Sequence, residues 1–212
     1  MQRLIAVVRL VLAALELAAV LTLLVSAVRD SRVSNLLSYF TIESNILAAV
    51  MLTITAVIGL RGGSTLGRTL TLWRGLATFS MVATGIIYVA LLRNVDVQTG
   101  SEWTNAVLHY LMPIVLLLDW LITPRTRITL GAAAWWLVFP LLYLAYSLIR
   151  GSIVDWYPYP FIDLRIHSGG AIAVTSVVLA VGMAVLAAVL TLLPSPRQDT
   201  VDTTADRTPS RI

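Results

Sequence analysis

Six long apolar stretches joined by short polar connectors leave this chain few folds to choose from. A helix needs about 20 apolar residues to cross a hydrocarbon core about 30 Å thick, because each residue adds about 1.5 Å of rise. Stretches near 5–27, 38–60, 75–92, 104–122, 130–149 and 169–193 reach that length, and segments such as RGGSTLGRTLTLWR and RNVDVQTGSEW between them carry the Arg, Gly and Asp of loops. Of the 212 residues 58% are hydrophobic and 12% charged, too little polar surface to cover a core in water. The expected fold is therefore all-α, an integral membrane bundle of six transmembrane helices over residues 1–193.

The arginines orient that bundle. Arg3, Arg9, Arg61, Arg68, Arg74, Arg125, Arg127, Arg197, Arg207 and Arg211 fall on the side of the two termini, ten in all, whereas the other side holds five together with Asp30, Asp96, Glu102, Asp155 and Asp163. The positive-inside rule then expects the N- and C-termini in the cytoplasm. The first apolar run is too long for a signal peptide and Glu16 interrupts it, so it is expected to remain as a span. Residues 194–212, rich in Pro, Thr, Asp and Arg, read as a disordered tail.

Several chemistries are excluded by composition. The chain has no cysteine, hence no disulfide, thiol nucleophile, thiolate metal site or iron–sulfur cluster. Every basic residue is arginine, so no lysine Schiff base to retinal or pyridoxal phosphate can form. The arginines lie scattered in short loops rather than along a stripe, so no nucleic-acid partner is expected. No cofactor is expected either. A metal held by His109, His167 and Asp163 has the right residue types without any spaced ligand motif, and the hydrolase elbow GxSxG is absent.

The polar residues inside the spans carry what remains. Thr41 and Asn45 stand four apart in the first turns of the second span, and Asn105 and His109 repeat that spacing in the fourth. Thr41 lies about 5 Å and His109 about 8 Å below the start of its helix, which places both at one level in the outer leaflet. Pro113 cannot donate to the His109 carbonyl and is expected to kink the helix there, making room for a pocket. A neutral histidine in reach of a threonine hydroxyl takes its proton and returns it to a leaving group. Asn45, Asn105, Tyr88 and Tyr110 are the candidate donors to the oxyanion, and His167 and Asp163, at the start of the sixth span, are candidate auxiliaries.

Glu16, Glu43 and Asp119 are acids within spans. Glu16 is expected to be packed against another helix, Glu43 to face away from Thr41, and Asp119 to reach the headgroups with Trp120. Tyr39, Tyr88, Tyr110, Tyr143, Tyr146, Tyr157 and Tyr159 at one level, and Trp73, Trp120, Trp135 and Trp136 at the other, read mainly as interfacial aromatic belts. Two further functions compete with hydrolysis: a lipid or small-molecule binder or transporter built on Glu16 and Glu43, and a structural protein whose polar residues join helices.

The segments SYFTIESNIL, LHYLMP and YPYPFID resemble those of bacterial members of the androgen-induced and androgen-dependent TFPI-regulating membrane proteins. The similarity covers most of the six-helix core and leaves out the tail. It implies intramembrane hydrolysis of fatty acid esters of hydroxy fatty acids, with Thr41 of YFT as nucleophile and His109 of LHY as the histidine. The implied partner is a membrane lipid or lipid-like ester, whose free carboxylate Arg93 or Arg165 is placed to meet.

Overall fold

A computed structural model describes residues 2–63, 66–95 and 101–196. Asp96 and the tail from residue 197 onward, with Arg197, Arg207 and Arg211, lie outside the described residues. Six helices long and apolar enough to span a membrane make up the fold: α1 (Gln2–Arg29), α2 (Phe40–Leu60), α3 (Arg68–Leu92), α4 (Glu102–Ile122), α5 (Leu130–Val154) and α6 (Gly169–Leu192). Among the described residues there is no strand.

In lipid, helices gain no hydrophobic drive toward each other, so contact depends on close packing and on polar groups that satisfy one another. The α1–α2 pair uses the first device. Ala6, Ala13, Ala49 and Ala56 are buried, and a Cβ on Gly59 would stand 3.3 Å from the Ala6 Cβ. The α3–α4 pair uses both, with Gly85 allowing contact at Pro113 and Arg74 reaching Asp119. Helices α1 to α4 enclose a core of Leu23, Ile42, Leu52, Met81, Leu108 and Met112, in which Glu16 is fully buried with neither carboxyl oxygen hydrogen-bonded. Helix α6 packs on the first turns of α5 and on α3, and the bodies of α5 and α6 diverge beyond that point.

Helix α3 starts at Arg68, seven residues ahead of the expected 75, because the polar stretch 68–74 is helical, with Thr71 and Arg74 turned inward, rather than a loop. Thr71 and Arg74 are enclosed, and the guanidinium of Arg74 reaches Asp119 at 2.9 Å. Asp119 also accepts from Arg9 at 2.7 Å, so it joins α1, α3 and α4 instead of meeting headgroups as expected. Trp120 and Trp136 are likewise interior, their indoles donating to the carbonyls of Leu190 and Leu72 at 3.0 Å, whereas Trp73 and Trp135 are exposed and stack edge to face. Helix α5 runs on to Val154, past the expected 149, because Arg150 finds the Asn35 side chain at 2.7 Å and the Trp156 ring. The first residues of the expected tail are held too, since Arg125 donates to Ser195 through its backbone and to Leu193 and Pro194 through its side chain. Burial, reinforced by the Arg74 guanidinium, pushes Arg125 down to about 10, which leaves it cationic at neutral pH.

Candidate functional site

Thr41 is the second residue of α2, where the chain leaves the extended Tyr39 and turns into the helix. The first N–H groups of a helix have no partner within it. That of Thr41 points at the Tyr159 hydroxyl oxygen, 3.4 Å away. On the other side of the residue, Thr41 Oγ1 lies 3.2 Å from His109 Nε2. With the proton of a neutral imidazole on Nδ1, the hydroxyl donates to Nε2, the arrangement a general base requires. Both residues are buried, at 6% and 3% exposure, so bulk water does not compete for this bond.

His109 reaches that position from an irregular stretch. Residues Val107–Leu111 of α4 wind as a π-helix just ahead of Pro113, and Tyr88–Leu92 of α3 do the same. The two wide turns abut, and the Tyr88 ring stacks on the His109 imidazole with centroids 4.2 Å apart. Gly85 makes the approach possible. A Cβ there would stand 2.9 Å from the Pro113 Cβ and 3.4 Å from the His109 carbonyl, which Pro113 cannot serve.

Thr41 also lines an apolar cavity of about 120 Å³ between α2, the end of α3, α5 and α6. A single water needs about 10–15 Å³ on that measure, so the space fits a string of heavy atoms. Leu141, Leu144, Leu179 and Met183 form its walls, with Thr41, Tyr143 and Tyr159 at the polar end. Tyr143 donates to the Ser38 carbonyl at 2.9 Å, tying α5 to the chain entering α2. Below Thr41, the Ser44 and Thr84 hydroxyls meet at 3.0 Å.

The candidate oxyanion donors are placed differently. Asn45 donates to the Thr41 carbonyl at 2.7 Å and Asn105 to the Tyr88 hydroxyl at 2.7 Å, so an amide hydrogen of each is committed. Tyr88 is the platform under His109, and Tyr110 is 44% exposed with its ring edge on Tyr88. None of the four lines the cavity. Asp163 is held by Arg165 through bonds of 2.7 and 2.9 Å, and that guanidinium keeps its carboxyl below the ordinary aspartate range. His167 is exposed. The structure therefore does not bring His167 and Asp163 to His109, and among the described residues no three His, Asp or Glu side chains are grouped to hold a metal. Glu43 is half-buried, off the enclosed face of Thr41, Ser44 and Asn45.

Tyr159 and Tyr143 are the site residues that sequence reasoning passed over as part of a belt. The signal for Tyr159 was the run Tyr157-Pro158-Tyr159-Pro160-Phe161, five aromatic or ring-constrained residues in a connector that had no other reason to be apolar, whereas Tyr143 inside α5 carried none. Comparison with family models, with curated proteins and with solved structures finds no match for this chain.

Proposed function

We propose that this membrane protein is an intramembrane hydrolase of fatty acyl esters, with Thr41 as nucleophile and His109 as general base. The observation that carries the reading is the 3.2 Å contact between the Thr41 hydroxyl and His109 Nε2 at the polar end of an apolar cavity. A threonine that merely packs a membrane helix bonds to its own backbone, as Thr22, Thr53 and Thr55 do here. Thr41 instead turns its hydroxyl to an imidazole on another helix. The cavity suits an acyl chain, the ester carbonyl lies at Thr41, and water enters for the second half of the reaction. The resemblance to the androgen-induced and androgen-dependent TFPI-regulating proteins supports the same pair of residues and extends the reading to esters of hydroxy fatty acids.

The test is hydrolysis of acyl esters by the purified protein, alongside labelling by an electrophilic probe. Turnover and labelling should both be lost in Thr41→Ala, and wild-type turnover in that variant would end the reading. The arginine count supports cytoplasmic termini, which put the site in the outer half of the bilayer of a bacterial cytoplasmic membrane. Since the chain has no cysteine, single cysteines introduced at Ser34 and Arg127 report orientation cleanly. An impermeant thiol reagent added to intact cells should reach the first and miss the second, and the reverse pattern would invert the topology.

A further inference from the structure

Ester hydrolysis at Thr41 needs a group that stabilises the negative charge appearing on the carbonyl oxygen, and the donors expected from the sequence do not face the cavity. Three observations meet at a different residue. Tyr159 and Thr41 line the same end of the cavity, whereas His109 approaches Thr41 from outside it. The Thr41 N–H at the start of α2, where the helix end carries partial positive charge, has no partner within the helix and donates to the Tyr159 oxygen at 3.4 Å. The ring is clamped, stacked on Phe161 at 5.3 Å with 5° between planes, edge-on to Tyr39 at 5.7 Å and against Tyr143 at 6.4 Å.

We infer that Tyr159 is a catalytic residue of this site, its hydroxyl serving as the oxyanion donor while the Thr41 backbone N–H donates to the phenol oxygen and holds it in place. The inference rests on the hydrolase reading above. Thr41 Oγ1 bonds to the carbonyl carbon, its proton passes to His109 Nε2, and the carbonyl π electrons move onto the oxygen held by the Tyr159 hydroxyl. The C–O ester bond then breaks and the leaving alkoxide takes the proton from His109. Water repeats the sequence on the acyl-threonine, His109 accepting its proton and returning it to Thr41, so that ester and water yield acid and alcohol. Burial pushes the Tyr159 phenol up from its ordinary value, so it keeps its proton and acts as a donor at neutral pH. No water need be reorganised when the charge forms, because the aromatic clamp fixes the hydroxyl beforehand.

Tyr159→Phe retains the ring and its clamp. It should lower kcat by about 10²–10³-fold, leave KM and the thermal midpoint near wild type, and weaken a trifluoromethyl ketone analogue, which presents a tetrahedral oxyanion to Thr41, by a similar factor. Binding of the corresponding free fatty acid should not change, as it would if Tyr159 only shaped the cavity. Wild-type kcat in Tyr159→Phe together with an inactive Thr41→Ala overturns this inference and spares the hydrolase. Wild-type turnover in Thr41→Ala ends both. Should Tyr159→Phe not fold, difluorotyrosine introduced at position 159 is the second probe: its more acidic phenol should move the alkaline limb of kcat to lower pH, and an unmoved limb overturns the assignment.

Discussion

The cluster around Asp119 and the site around Thr41, at opposite ends of the bundle, bury polar groups in opposite ways. At the end holding the termini, Asp119 is gripped by Arg9 at 2.7 Å and Arg74 at 2.9 Å, Arg9 continues to Thr123 at 2.6 Å, and Arg74 and Arg125 flank the Trp120 ring. Among the described residues of that cluster, only Nη1 of Arg74 is buried without a partner. Around Thr41 and His109 the groups are neutral and some are unspent: Asn105 Oδ1 and Asn45 Oδ1 are buried without partners, and the single contact between Thr41 and His109 is long for an O–H···N bond. A group that only holds helices together is best fully satisfied, whereas one that must receive a reacting molecule keeps capacity in reserve. The difference separates the arginine cluster from the proposed active site more sharply than burial does, since both are equally enclosed.

Three changes should break or sharpen this contrast. The largest effect belongs to the neutral end. Thr41→Ala should abolish acyl-ester turnover and His109→Ala should reduce it by about 10²–10⁴-fold, both with thermal midpoints close to wild type. A loss of folding matching the loss of turnover would make the pair structural. Next comes the charged end. Asp119→Ala leaves the Arg9 and Arg74 guanidinium groups buried without their counter-charge, and should cost about 3–5 kcal/mol in denaturant unfolding. Replacing Arg9, Arg74 and Asp119 together by apolar residues of similar volume should recover most of that loss, and a triple variant as weak as Asp119→Ala would show that the ion pairs contribute net stability. The smallest is Gly85→Ala, whose methyl meets Pro113 at 2.9 Å. The strain should cost about 1–3 kcal/mol and spread the Tyr88–His109 stack, so turnover should fall while the arginine cluster is untouched. Unchanged activity there would separate the stack from the chemistry.

What the sequence disclosed follows from its solvent. Lipid demands long apolar helices with satisfied backbones, so the six spans were legible from hydropathy alone. Their limits were not, because hydropathy reads Arg68 to Arg74 as a loop, and only the partner on α4 makes that turn worth burying. The same blindness sent Asp119 to the headgroups: the pairing partners are 110 and 45 residues away along the chain. In the site, Thr41 and His109 were within reach of simple depth reckoning because each lies early in a helix that begins at the same end. The π turns that aim His109 at Thr41 left no such trace. Tyr159 was missed for a related reason, since a connector has no periodicity from which to infer where its side chains go.

Helices α5 and α6 bury 17% and 11% of their apolar windows, against 67% for α3. Two walls of the cavity are thus supported from behind by acyl chains of the bilayer instead of by protein. On the proposed reading, the substrate and the material holding the cavity shut are then the same kind of molecule, and a lipid tail passing between α5 and α6 would exchange one hydrocarbon contact for another at little cost. The membrane is in this sense the door of the site as well as its source of supply.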